Sequence, residues 1–135
     1  MSYPVREIEG VGPKYEAKLV AAGIQTTEDL LEAARTPGKR SKLADSAEIR
    51  PDLVLTWANR ADLMRVKGIG GQFAELLNVA GVDTIKELAR RNADNLHAKL
   101  VEVNGGRKVT RSVPSAGQVA KFVQAAAGIT PSLSY

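Results

Sequence analysis

From Pro13 onward, Tyr15, Leu19 and Ala22 stand three or four positions apart with mostly polar residues between them, the spacing that lines one face of an α-helix. Pro13 suits the first turn of that helix, where its missing N–H leaves no bond unmade. Gly23 ends it, with the apolar Ile24 directly behind. The layout returns over Phe73, Leu77 and Ala80, closed by Gly81 and Val82, and the late run "VAKFVQAAAGI" closes on Gly128 and Ile129. Glycine followed by an apolar residue predicts a left-handed C-terminal cap at all three places.

Start signals are as regular. Thr84 with Glu87 and Ser115 with Gln118 have the spacing of capping boxes, and Thr26 with Asp29 is a looser version. Thr36 followed by Pro37 opens another helix, and Asn92 opens the one that runs through "ADNLHAKLVEVN". Within "RPDLVLTWANRADLM", Leu53, Trp57 and Leu63 are the expected core anchors. Val119, Phe122 and Val123 are expected to play the part of Leu53, Val54 and Trp57 in the last helix. One segment divides the prediction. "LVEVNGGRKVTRSV" alternates around Asn104-Gly105-Gly106 like a β-hairpin, yet the start at Asn92 favours a helix ending near Asn104 and then a basic loop.

The chain repeats itself at an offset of 58 residues, Gly10 onto Gly68. Gly12 then meets Gly70, Leu19 meets Leu77, Ala22-Gly23 meets Ala80-Gly81, Thr26 meets Thr84 and Leu30 meets Leu88. Val11/Ile69, Tyr15/Phe73, Ile24/Val82 and Asp29/Glu87 match in kind. This is an internal duplication. It divides the chain into a first repeat over 1–61, a second over 62–127 and a tail over 128–135.

Composition narrows the chemistry. Aromatic residues are scarce, so the core must be aliphatic, which suits closely packed helices. The chain has no cysteine, which excludes disulfides and thiolate metal sites and fits a reducing compartment. No apolar run approaches the roughly 20 residues that span a bilayer, and the N-terminal "MSYPVREIEG" has no apolar leader core. A cytoplasmic protein without membrane contact is expected. The formal charge is +4, but residues 1–61 hold nine Lys/Arg against nine Asp/Glu and residues 62–135 hold ten against six. The basic excess therefore lies in the second repeat, which points to a polyanionic partner.

The stretches "IEGVGPKYEAKLVAAGIQT" and "VKGIGGQFAELLNVAGVDT" resemble the helix-hairpin-helix motif. The chain as a whole, through "IEGVGP", "RADLMRVKGIG", "ELARRNADNLHAKLVEVN" and "VAKFV", resembles a bacterial family known as domain of unknown function 4332. The resemblance implies an all-α, duplicated helix-hairpin-helix (SAM-like) helical bundle of two repeats with about four helices each. In helix-hairpin-helix proteins the glycine turn leaves backbone N–H groups open to a DNA phosphate, largely blind to sequence, and paired motifs commonly grip both strands. Carried onto this chain, the candidate contacts are Arg65, Lys67, Gly68, Ile69, Gly70, Gly71 and Gln72, with charge added by Arg90 and Arg91. Gly71 would keep the backbone bare, and Arg107, Lys108 and Arg111 would extend the surface if they share its face. The first turn departs from the pattern. Tyr15 and Glu16 replace the small residues that let phosphate approach, and Glu7 and Glu9 lie just ahead. Gly10, Val11, Gly12, Lys14 and Tyr15 are therefore expected to be structural or to meet a protein partner.

Other chemistry has little support. His97 is the only histidine, so a transition-metal site is not expected. Lys14 and Lys18 lie near the first turn, where some glycosylases and lyases carry a Schiff-base lysine, but the chain lacks length and aromatic lining for a flipped-base pocket. "GVGPK" and "GIGGQ" are too short for a Walker loop. "PDLVLTWANR" is too apolar for a recognition helix. The sequence thus predicts a non-enzymatic binding module without cofactor, metal or small-molecule substrate. Its partner is duplex nucleic acid bound without sequence preference or, as the rival, a protein in an adaptor or scaffold role.

Overall fold

The computed structural model describes Ser2 to Tyr135; of the first predicted repeat, Met1 alone lies outside the described residues. A 3-10 turn at Val5–Glu7 precedes α1 (Pro13–Ala21), α2 (Thr27–Ala33), α3 (Pro37–Ala47) and α4 (Pro51–Leu63). Then follow α5 (Gly71–Val79), α6 (Ile85–Ala89), α7 (Ala93–Gly106) and α8 (Ala116–Ala127). The fold is all-α. Among the described residues the one β pairing is an isolated bridge between Pro4 and Thr26, and no helix is long and apolar enough to cross a membrane.

Packing follows the duplication. In the first half α2 and α3 both lie on α4 while α1 touches α3; in the second, α6 and α7 lie on α8 while α5 touches α7. The two halves share one core, and α4 runs through the 61/62 boundary to pack on α5. Trp57 and Leu63 are fully buried in that core, whereas Leu53 is only half-buried. Each half also places an aromatic pair beneath its glycine turn. Tyr15 meets Trp57 edge-on at 5.0 Å between centroids, and Phe73 meets Phe122 at 6.3 Å. Phe122, and not Val123, therefore stands in the place of Trp57.

Those rings explain the first glycine of each turn. Gly10 and Gly68 have φ of +95° and +93°, and a Cβ at either would press on the ring below, 3.2 Å from Trp57 Nε1 or 3.0 Å from Phe122 Cε1. Both the backbone conformation and the space demand glycine. From Trp57 to Phe122 the offset is 65, against 58 at the turns, so the second half carries seven more residues before its last helix. They fall in α7 and the basic loop after it.

Helix ends follow local chemistry with three corrections. The capping box is complete at Ser115, as expected, and also at Thr26, where Asp29 accepts from the Gln25 and Thr26 N–H groups, and those bonds hold its carboxyl below the usual range. At Thr84 the Glu87 carboxylate instead accepts from the Thr84 hydroxyl. At Asn104-Gly105-Gly106 the favoured helix forms and the alternative hairpin does not, but α7 runs two residues past the expected end near Asn104, through both glycines, and closes with the Arg107 N–H on Val103 O at 2.9 Å. Gly23 and Gly81 are left-handed caps, but Gly128 sits at φ −95°, with the Ile129 N–H turned back to Ala126 O.

The left-handed residue that closes α3 is Glu48, at φ +56°, with Lys18 Nζ donating to its carbonyl at 2.8 Å. Left-handed backbone costs a side-chain-bearing residue about 1–2 kcal/mol, partly offset because glycine loses more freedom on folding. Glu48→Gly is therefore expected to raise the unfolding free energy by about 0.5–1 kcal/mol, read as a higher urea midpoint.

Candidate nucleic-acid interface

The residues around the second turn divide by what holds them. Ile69 is fully buried and offers only its backbone, while Lys67, Gly68 and Gln72 are exposed. Gly70 is the extended N-cap of α5 and has no side-chain cap bond. Arg65 is already occupied. Its Nη1 donates to Asp62 Oδ1 at 2.8 Å and to Thr130 O at 2.8 Å. Asp62 is 2% exposed and also accepts from the Ser132 N–H at 3.2 Å. Arg65 thus ties the tail, residues 130–135, to α4.

The same tail crosses onto the first half. The Ser134 N–H donates to Arg35 O at 2.8 Å, Arg40 Nη2 donates to Ser134 O at 2.8 Å, and Leu133 is buried. Residues 128–135 are therefore a clasp over the first repeat.

Beside Gln72 lies a cleft of about 380 Å³ lined also by Asn104, Lys108, Val109, Thr110 and Arg111. The basic loop thus reaches the start of α5. Asn104 moors it: its Oδ1 accepts from the Val109 and Thr110 N–H groups at 2.9 and 3.0 Å, and its Nδ2 donates to Thr110 O at 3.1 Å. The Thr110 hydroxyl donates to Ser112 O at 2.8 Å and fixes the next bend. Asn104, expected near the end of a helix, is the organiser of this cleft. Arg107 does not line it, and neither do Arg90 and Arg91, which follow α6. After residue 62, every Lys and Arg other than Arg65 and Lys99 lacks an ion-pair partner among the described residues. The cleft contains no carboxylate.

The first turn closes the other flank. A Cβ on Gly71 would lie 2.0 Å from Glu7 O and 3.7 Å from Glu9 N, so the backbone at Gly71 is covered by the first turn. This corrects the expectation of a bare Gly71, whose missing side chain serves contact between the halves. Arg60, which the sequence did not mark, joins them: Nε donates to Asn78 Oδ1 at 2.6 Å and Nη1 to Glu9 O at 2.7 Å. Burial lowers its pKa, against the opposing pull of Glu75 and Glu9. At the first turn itself, Val11 is buried, Gly12 caps α1, Tyr15 lies on Trp57, and Glu16 pairs with Arg6 at 3.6 Å. Lys14 is exposed.

A protein-family profile described as a domain of unknown function, DUF4332, matches residues 9–129. The chain belongs to this family. The match takes in both glycine turns, all eight helices and the cleft, and leaves out most of the clasp. No curated protein and no solved structure matches the chain. The activity of this DUF4332 protein has to be argued from its surface.

Proposed function

We propose that this DUF4332 protein is a non-enzymatic module that binds the phosphate backbone of nucleic acid without reading its sequence. Its two glycine turns act as helix-hairpin-helix elements, of which the second makes the contact. One observation carries this: the cleft that sets Lys108 and Arg111 beside Gln72 at the start of α5, with no acidic side chain in it. Lys108 and Arg111 beside the start of α5 suit phosphate oxygens, and exposed Gln72 adds a polar donor. Lys67, exposed on the turn and outside the cleft lining, would add a third cation, whereas Arg65 stays with Asp62. Cations of this kind release counterions on binding, so affinity falls as salt rises.

The test is fluorescence anisotropy of a labelled random-sequence duplex at low and physiological salt, with Lys108→Glu/Arg111→Glu beside the unaltered protein. Dissociation constants of about 10⁻⁴–10⁻⁶ M are expected at physiological salt, tighter at low salt. The variant should bind at least about tenfold more weakly with a salt slope shallower by about 2. No binding at low salt would refute the proposal.

A protein-adaptor role has one observation of its own. Between α1, α2 and α3 lies an open groove of about 600 Å³ with Ala22, Ile24, Ala33 and Leu43 in its lining. If the duplex fails to bind, this groove is where a partner should be sought.

A further inference from the structure

We infer that the partner is a double-stranded nucleic acid held through the phosphates of one strand only, the first turn holding off the other strand. The inference rests on the phosphate-binding reading and deepens it.

The two turns are neighbours, since the backbone of Glu7 and Glu9 lies against Gly71. A duplex seated in the cleft beside Gln72 therefore also faces the first turn. At the matched positions the charges are opposed. Over residues 6–16, Glu7, Glu9 and Glu16 outnumber Arg6 and Lys14; over residues 64–74, Arg65 and Lys67 have no acid among them. Arg6 pairs with Glu16 at 3.6 Å, and among the described residues Lys14 has no ion-pair partner. A second phosphate strand would meet Glu7 and Glu9, both exposed, and like charges repel it.

The choice of duplex over single strand follows from the rings. Binding of single strands rests on aromatic side chains that stack with bases. Beside both turns the rings face inward, Tyr15 onto Trp57 and Phe73 onto Phe122. The exposed ring of Tyr135 lies under Arg40, and its hydroxyl donates to Asn59 on α4. The cleft is left with charge and hydrogen-bond donors, which suit a backbone already ordered in a helix.

The experiment titrates the full chain against a 20-base-pair DNA duplex and against one of its strands, across a salt series. It is repeated with Glu9→Lys, whose exposed side chain makes none of the bonds to Arg60, those being to the Glu9 carbonyl. The duplex should bind at least about fivefold tighter than the strand. A slope near −3 in log K against log salt is expected, for about three phosphates neutralised by Lys67, Lys108 and Arg111. Glu9→Lys should tighten duplex binding at least about threefold and steepen the slope by about 1, because the second strand gains a contact. Equal or tighter binding of the single strand overturns the inference while leaving phosphate binding intact. Unchanged or weakened duplex binding by Glu9→Lys, with an unaltered circular dichroism spectrum, also overturns it. Failure of both probes to bind at low salt overturns the underlying reading and this one with it.

Discussion

Replacing Arg65 by glutamate lowers the unfolding free energy by about 3–5 kcal/mol, with or without nucleic acid present. The guanidinium neutralises Asp62, which is 2% exposed, and bonds Thr130 O at 2.8 Å. Glutamate would set a second negative charge beside a buried carboxylate and drop both bonds. Removing one partner of a buried pair leaves an uncompensated charge, and the desolvation cost of Asp62 then has no offset. A domain of this size has about 5–15 kcal/mol to lose, so a large share of molecules would be unfolded on mild urea addition. The clasp should loosen as well, since Arg65 holds Thr130 and Asp62 holds Ser132. Limited proteolysis would then cut residues 130–135 faster. Asp62→Asn/Arg65→Met, which removes both charges, should recover more than half of the loss. An Arg65→Glu variant with the unaltered urea midpoint and no duplex binding would return Arg65 to the interface.

Why the sequence ranked Arg65 with Lys67 is plain. Both lie within three residues ahead of Gly68, and the one local sign that separates them is Asp62, three residues before Arg65. The partners that claim Arg65 include Thr130, 65 residues away, and those that share Asp62 include Ser132, 70 residues away. Helix starts were legible for the opposite reason. Thr26, Thr36, Asn92 and Ser115 each bond a backbone N–H three residues on, so their effect is complete within one turn of chain. Tyr15 and Phe73 were legible as inward rings only in part. The helical period placed them on the core face, but the rings they meet, Trp57 and Phe122, lie on distant helices. The helix ending near Asn104 was legible from its start at Asn92, but the bonds from the Asn104 side chain to Val109 and Thr110, which hold the loop after it, were not. The placement of Lys108 and Arg111 beside Gln72 depends on how α7 packs on α5 and α8, which no local pattern encodes.

Gly71→Ala should cost about 2–3 kcal/mol, although alanine is the better helix former by about 1 kcal/mol. The added methyl would stand 2.0 Å from Glu7 O, and a backbone carbonyl cannot swing aside as the end of a long side chain does. Either α5 or the 3-10 turn at Val5–Glu7 must move, and that turn is pinned from behind by the Val5 N–H on Gln25 O at 2.9 Å. Gly70→Ala is the internal control. Gly70 has an extended backbone and nothing within 4 Å of a Cβ, so the change should stay within about 1 kcal/mol of the unaltered protein. Urea unfolding of the pair separates two roles that the run Gly70-Gly71 leaves merged. If Gly71 were kept bare for phosphate, Gly71→Ala would spare stability and weaken duplex binding. With the first turn seated on it, stability falls first, and the folded protein binds less well only as far as the displaced turn carries Glu7 and Glu9 into the cleft. Adding Glu7→Gln and Glu9→Gln to Gly71→Ala tests that step. These changes should restore binding and leave the stability loss in place, because the clash is with backbone and the repulsion is from side chains.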